Sequence, residues 1–168
     1  GDFGGHVSTG VLGIQHLMRG LTEYGRVDMA WKIATNDTYP SWGYMAKKGA
    51  TTIWELWNGD KANPGMNSGN HVMPLGGLLP WCFNNLAGIR ADRWKPGYKY
   101  IIFQPAFDIQ ELSNVDASYT SIYGKITSRW KKPPTHLEWD IELPANTTGE
   151  VYLPGGRKEM VGSGKHHF

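Results

Sequence analysis

The chain has 168 residues with 17 Lys and Arg against 15 Asp and Glu, and its net charge of +2 excludes a nucleic-acid binder that works through a broad basic face. Hydrophobic residues make up 40% and charged residues 19%, so the chain is able to bury a core. No apolar run approaches the roughly 18 to 20 residues of a membrane-spanning helix. We therefore expect a folded protein without nucleic-acid or membrane partners.

The first part of the chain has the periodicity of helices. Apolar residues at helical spacing predict a helix that follows a cap at Ser8 or Thr9 and stops at Gly25. A shorter helix is predicted over residues 26–34 and a longer one over residues 71–87. The longer helix is apolar on nearly every side, so we expect it to pack between other helices.

Residues 38–70 break this pattern and predict a long irregular stretch. Such stretches in compact domains are more often functional than not. We therefore expect candidate site residues within it.

The composition changes after Gly88, and the remaining signals are those of strands. Apolar and polar residues alternate strictly from Leu137 to Leu143, which predicts that Trp139 points into the core of a sandwich. The pattern does not determine the orientation of Trp130. The other predicted strands cover residues 98–103, 115–123, 125–131 and 151–153, at the spacing of an antiparallel sandwich. Residues 155–164, with His166 and His167 after them, are expected to form a frayed end that binds no ligand.

The change of pattern predicts two domains, at residues 1–92 and 93–168. The helical part has about three helices and begins in mid-pattern, although its most apolar helix needs more partners. We therefore expect this chain to be the C-terminal piece of a larger protein.

Aromatic residues are abundant, at 12%, and eight of them are Trp. Indole rings beside polar groups suit sugars, because the C–H bonds of a sugar stack on the ring while its hydroxyls form hydrogen bonds. Tryptophan is equally ordinary in a large core, so composition leaves both interpretations open.

Glu55 lies between Trp54 and Trp57, in a run of apolar neighbours that holds its side chain in a fixed pose. A carboxylate in this setting suits general-base chemistry on a water molecule. The same pattern also fits a glutamate at the rim of a core, accepting backbone hydrogen bonds at a helix start capped by Thr51 or Thr52.

His71 is predicted to head the longer helix, where its imidazole could donate to a ligand hydroxyl or serve as a structural cap. His6 and His16 have no carboxylate or thiol at metal-ligand spacing, so no metal and no cofactor is predicted. Cys82 lies in an apolar run and is expected to be a buried, inert thiol.

Five segments, in order along the chain, carry a resemblance to a known family. They are STGVLG at 8–13, YPSWGYM at 39–45, GATTIWE at 49–55, GMNS at 65–68 leading to His71, and LAGIR at 86–90 followed by PGYK at 96–99. The sequence resembles the C-terminal third of bacterial α-L-rhamnosidases over nearly its whole length.

The resemblance implies a fold and an activity. The fold would be the C-terminal helices of a six-hairpin α/α toroid followed by an antiparallel β-sandwich. The activity would be inverting hydrolysis of terminal α-L-rhamnosides, in which one carboxyl group protonates the leaving oxygen and another activates water. Glu55 matches the family's general base and His71 a sugar-contacting histidine. Trp54 and Trp57 would then be walls of the pocket, although either also fits a core.

The family's general acid lies in earlier helices that are not in this sequence. We therefore expect the isolated chain to be inactive, and its partners to be rhamnosides and the remaining N-terminal part of the same enzyme. The alternative is a non-catalytic carbohydrate-binding or structural module, with Trp130 or Trp139 of the sandwich as a stacking platform.

Overall fold

The computed structural model describes residues 4–10, 12–71 and 75–168, and the chain divides into two compact units, Gly1–Trp81 and Cys82–Phe168. The first unit is helical. Its elements are α1 (Gly13–Glu23), α2 (Val27–Thr35), α3 (Trp42–Lys47), a 3₁₀ turn (Gly59–Lys61) and α4 (Leu75–Trp81). Among the described residues no helix is long and apolar enough to span a bilayer.

Helix α1 ends as its sequence predicts but begins later. Gly25 has a φ of +72°, and the N–H of Arg26 donates to the carbonyl of Leu21, which closes the helix in a left-handed turn that glycine adopts without strain. The predicted cap at Ser8 or Thr9 is wrong. The cap position is Leu12, which makes no side-chain hydrogen bond, and the first turn is closed by the carbonyl of Gly10.

Helix α3 lies inside the stretch predicted to be irregular. The buried hydroxyl of Ser41 accepts a hydrogen bond from the N–H of Tyr44 at 2.9 Å, which caps a helix of only six residues. Gly43 lets this helix approach the end of α2, because a Cβ there would lie 2.5 Å from the carbonyl oxygen of Asn36.

The predicted helix over residues 71–87 is shorter than expected, and His71 does not head it. Helix α4 begins at Leu75 and passes at Cys82 into a π-helical turn, Cys82–Leu86. Gly77 packs closely against Ile14 of α1, but Leu79 is 46% exposed. Among the described residues, α4 therefore has one packed face, and it is not surrounded.

The second unit is a β-sandwich of two four-stranded sheets. One sheet has the order β1-β2-β6-β7 and the other β3-β4-β5-β8. The strands are β1 (Ile89–Ala91), β2 (Tyr100–Phe103), β3 (Asn114–Ser121), β4 (Gly124–Lys131), β5 (Glu138–Leu143), β6 (Thr148–Tyr152), β7 (Lys158–Val161) and β8 (Gly164–His167). All neighbouring strands are antiparallel except β2 and β6, which pair in parallel.

The end of the chain is not frayed, contrary to the expectation from its glycines. Strand β8 pairs with β5, and Nδ1 of His167 lies 2.7 Å from Oδ1 of Asp140. Phe168 then exchanges two main-chain hydrogen bonds with Trp139 and packs its ring against the indole. The last residues therefore complete the sheet.

Cys82 is half-buried rather than fully buried. Its surroundings still exclude enough water that burial raises the pKa of the thiol. A raised pKa keeps the group protonated and slow to react at neutral pH.

The core of the sandwich is organised around one buried hydroxyl. Trp139, Ile141 and Leu143 are buried, as the strict alternation predicts, and Trp139 is 0% exposed. The hydroxyl of Ser128 donates to the carbonyl of Ala87 at 2.7 Å and accepts from Nε1 of Trp139 at 3.0 Å. The Ser128 hydroxyl thus pairs with both the Ala87 carbonyl and the Trp139 N–H inside an apolar cluster. A buried polar group left without a partner would lower the free energy of unfolding.

Neither tryptophan of the proposed binding platform faces solvent. Trp130 is 2% exposed and donates its indole N–H to the carbonyl of Leu86 at 2.8 Å, while Trp139 lies deeper still. Sugar stacking requires an open ring face, so the carbohydrate-binding alternative loses the residues on which it rested.

Substitution Ser128→Ala should destabilise the sandwich by about 2–4 kcal/mol, because it orphans both the N–H of Trp139 and the carbonyl of Ala87. Urea unfolding followed by tryptophan fluorescence measures this loss. The matched control is Ser118→Ala on the exposed part of β3, which should change the free energy of unfolding by less than about 0.5 kcal/mol. Equal effects of the two variants would contradict the role given to the buried hydroxyl.

Candidate functional site

Two irregular segments of the helical unit, residues 52–55 and 68–71, are joined by hydrogen bonds. The N–H of His71 donates to the carbonyl of Ile53 at 2.7 Å, and the N–H of Glu55 donates to the carbonyl of Ser68 at 3.0 Å. The segments run antiparallel, and between the two hydrogen bonds the second segment has two residues, Gly69 and Asn70, where the first has one, Trp54. This pairing places Glu55 and His71 on neighbouring stretches of chain, although twelve or more residues separate the two segments in sequence.

The carboxylate of Glu55 is held by the main chain of the facing segment. Its Oε2 accepts a hydrogen bond from the N–H of Ser68 at 2.8 Å, so Ser68 contacts Glu55 through both its N–H and its carbonyl. The side chain is half-buried, and no described cation pairs with it. The carboxylate is therefore oriented by the main chain, and not by a cation among the described residues.

The structure contradicts the alternative interpretation, in which Glu55 accepts backbone hydrogen bonds at the start of a helix. Glu55 does accept a backbone N–H, but that N–H comes from residue 68 and not from a helix that begins beside it. Thr52 caps no helix, because its hydroxyl donates to the carbonyl of Gly69 at 2.7 Å. Both side chains thus bind the facing segment.

His71 is held through its main-chain N–H, and as a residue it is half-buried. Its Nδ1 is enclosed and has no hydrogen-bond partner among the described residues. Residues 72–74, which follow His71 and include Val72, lie outside the described part of the chain. The structure therefore does not describe this part of the helix that was predicted over residues 71–87.

Trp57 points into the helical unit. Its indole N–H donates to the carbonyl of Thr9 at 2.9 Å, and its ring meets that of Trp42 edge-on with a centroid separation of 5.4 Å. This contact packs the segment against the residues that precede α1. Trp57 as a whole residue is half-buried.

Trp54 lies against the backbone of the 3₁₀ turn. A Cβ on Gly59 would lie 2.6 Å from Cγ and Cδ2 of the Trp54 indole, so the ring occupies the space that only glycine leaves open. The turn is tied to α3, because the hydroxyl of Tyr44 donates to the carboxylate of Asp60 at 3.0–3.1 Å. Desolvation, together with the Asp60 carboxylate, raises the pKa of Tyr44, so this hydroxyl remains a donor.

Within the described ranges, no three His, Cys, Asp or Glu side chains are grouped as a metal site would require. The arrangement instead offers one oriented carboxylate, one imidazole whose Nδ1 has no partner among the described residues, and two packed indoles. Carboxylate and imidazole are groups that exchange protons with a substrate or a water molecule, and indoles bind apolar sugar faces.

Sequence reasoning missed the residues that organise this site, Thr52 and Ser68. Thr52 was expected only as a possible cap, and Ser68 had no assigned role. Their function depends on a pairing between two irregular segments, and no periodic pattern in either segment signals that pairing.

Comparison with known families decides what kind of protein this is. Residues 2–86 match the model of the bacterial alpha-L-rhamnosidase 6 hairpin glycosidase domain, and residues 88–168 match the bacterial alpha-L-rhamnosidase C-terminal domain. The chain belongs to the bacterial alpha-L-rhamnosidase family. The resemblance and the fold class expected from the sequence are thereby confirmed.

Curated relatives agree with this family. An alpha-L-rhamnosidase of Streptomyces avermitilis is 35% identical over 161 residues, which are 93% of this chain and 15% of that protein. One of Formosa agariphila is 34% identical over 168 residues, or 97% of this chain and 18% of the relative. The chain thus spans less than a fifth of either relative.

Solved structures have the same fold. The crystal structure of the Streptomyces avermitilis alpha-L-rhamnosidase complexed with L-rhamnose aligns with a TM-score of 0.91 at 32% identity, covering 99% of this chain and 18% of that chain. The native enzyme from Aspergillus terreus aligns with a TM-score of 0.86 at 28% identity, covering 97% of this chain and 19% of that chain. The segment thus keeps the family's fold at about one-third identity.

Substitution Gly59→Ala should displace the Trp54 ring and destabilise the helical unit by about 1–3 kcal/mol, because the new Cβ has no room. Thermal unfolding of an enzyme that contains this segment measures the effect as a lower melting temperature. Gly10→Ala is the matched control, since a Cβ there meets nothing within 4 Å. A melting temperature that Gly59→Ala leaves unchanged would contradict the packing described for Trp54.

Proposed function

We propose that this chain is the C-terminal segment of an α-L-rhamnosidase that hydrolyses terminal α-L-rhamnosides with inversion, and that it supplies the general base, Glu55. The proposal combines family membership with one observation of the site. That observation is the half-buried carboxylate of Glu55, which is oriented by the Ser68 N–H and is free of any ion pair with a described residue.

The geometry suits a base because the two carboxylate oxygens differ. Oε2 is occupied by the main-chain N–H, which leaves Oε1 to accept a proton from water. As the water loses this proton to Glu55, its oxygen forms a bond to the anomeric carbon of rhamnose. The bond from that carbon to the leaving oxygen breaks, and a general acid protonates the departing alcohol.

Inversion follows from attack on the ring face opposite the leaving group. In inverting glycosidases generally, the two carboxyl groups stand about 6.5–9.5 Å apart to leave room for the water. We assign the acid to a part of the enzyme outside this chain, consistent with a segment that spans 15–18% of its relatives. The residues up to Leu86 would then form part of the catalytic toroid, and the strands from β1 onward the sandwich that follows it.

His71 and the two indoles would bind the sugar. The backbone pairing places His71 on the segment that faces Glu55, and its imidazole, whose Nδ1 has no partner among the described residues, would bind a hydroxyl of rhamnose. Trp54 and Trp57 would provide apolar walls for the C–H face of the ring, each anchored from behind by the contacts described above.

Substitution Glu55→Gln tests the base directly. The amide oxygen can still accept the Ser68 N–H, so the fold should be retained, but an amide does not take a proton from water at neutral pH. In the full-length enzyme we expect kcat to fall by about 10²–10⁴-fold. Hydrolysis of an aryl α-L-rhamnoside measures kcat, and thermal unfolding checks the fold.

Glu23→Gln is the control for this experiment. Glu23 is an exposed residue of α1 whose ion pair with Arg19 lies in solvent, so its loss should alter neither turnover nor folding measurably. Full turnover by the Glu55→Gln enzyme would refute the catalytic assignment.

The isolated chain of 168 residues should not hydrolyse rhamnosides. Without a general acid, departure of the leaving group alone is slowed by about 10²–10⁴-fold, and the pocket lacks the walls that the rest of the enzyme would supply. We also expect it to associate, because apolar side chains such as Leu12, Tyr24 and Met66 are exposed. Calorimetric titration with L-rhamnose should show no heat of binding. Activity assays measure hydrolysis, and sedimentation measures association.

The full-length enzyme, assayed in parallel, is the positive control. A monomeric isolated chain that melts cooperatively and binds L-rhamnose with micromolar affinity would contradict the proposal and would favour an independent binding module.

A further inference from the structure

The segment that faces Glu55 is held in place by hydrogen bonds and not by packing. Ser68, Gly69 and Asn70 are exposed, and a Cβ added at Gly69 would meet no atom within 4 Å. The Thr52 hydroxyl donates to the carbonyl of Gly69 at 2.7 Å. This bond joins the exposed turn to the segment that carries Glu55.

The hydroxyl of Ser68 closes the same turn from within. It donates to the carbonyl of Asn70 at 2.9 Å and accepts from the N–H of Asn70 at 3.0 Å. The turn contains the two residues, Gly69 and Asn70, that lie between the N–H that holds Glu55 and the N–H by which His71 binds Ile53. One short turn therefore connects the supports of both site residues.

We propose that Thr52 and Ser68 are positioning residues, whose hydroxyls fix the turn at residues 68–70 and so set the orientation of the Glu55 carboxylate relative to His71. The inference rests on the proposed role of Glu55 as the base. Neither hydroxyl needs to touch the sugar or the water, since each acts through the main chain.

The need for such support follows from the chemistry. A general base must lie within hydrogen-bond reach of the water from which it takes a proton, and a misplacement of about 1 Å is able to cost 10²-fold in rate. A main-chain N–H on an exposed turn keeps its position only while the turn is fixed. Within this chain packing does not fix it, so we assign this role to the two hydroxyls.

Substitution Thr52→Val removes the hydroxyl and keeps the branched shape. In the full-length enzyme we expect kcat to fall by about 10- to 100-fold. KM should change by no more than about twofold, because groups that bind the sugar are left in place. Thr52→Ser keeps the hydroxyl and should restore kcat, which a merely steric role of Thr52 would not predict.

Thr51→Val is the matched control. Thr51 is the exposed neighbour of Thr52 and its side chain makes no hydrogen bond among the described residues, so kcat should stay at the wild-type value. Ser68→Ala keeps the N–H that binds Glu55 but removes the bonds to Asn70, and kcat should again fall with KM nearly unchanged. Because both hydroxyls fix one turn, the Thr52→Val/Ser68→Ala enzyme should lose less than the product of the two single effects.

The outcomes separate this inference from the proposed function. If Glu55→Gln loses turnover while Thr52→Val keeps it, the positioning role is refuted and the base assignment stands. If Thr52→Val lowers kcat but Thr52→Ser does not restore it, or if KM rises as much as kcat falls, the positioning role is likewise refuted. If Glu55→Gln keeps full turnover, the base assignment itself fails.

Discussion

The site depends on the contact between Glu55 and Ser68. Two irregular stretches of chain meet there through a main-chain hydrogen bond and a second bond from the Ser68 N–H to the Glu55 carboxylate. A backbone donor suits this purpose, because its direction is set by the chain and not by a side-chain rotamer. The carboxylate is thereby oriented by the main chain.

In the sandwich, a side-chain hydroxyl rather than a main-chain N–H orients its neighbours. The Ser128 hydroxyl lies among apolar residues and contacts polar groups from two other parts of the unit, the carbonyl of Ala87 and the indole of Trp139. A large buried aromatic ring could pack in several ways, but its N–H has a partner in only one. In both units, then, a small hydroxyl or amide group selects one arrangement among many that hydrophobic contacts alone would permit.

Regular patterns in the sequence predicted regular parts of the fold. Helical spacing located α1 and α2 to within a few residues, and the alternation around Trp139 gave the correct inner face of β5. The misses have local causes: α3 is six residues long and capped by Ser41, while β7 and β8 are short and lie among glycines. At the site, the run TTIWE singled out Glu55. Its partner Ser68 lies thirteen positions further along the chain, in an irregular stretch without a periodic pattern that could have predicted the pairing.

The last strand has a consequence for shortened forms of the protein. β8 and Phe168 cover the outer edge of β5, the strand that holds Trp139. Removal of the final five residues would leave β5 as an edge strand. Its main-chain N–H and C=O groups on that side would be unpaired, and the Trp139 indole would lose its cover by Phe168. Such an edge is a template for another molecule's strand, so a trimmed form would be prone to intermolecular sheet formation and precipitation even though most of its core residues are still present.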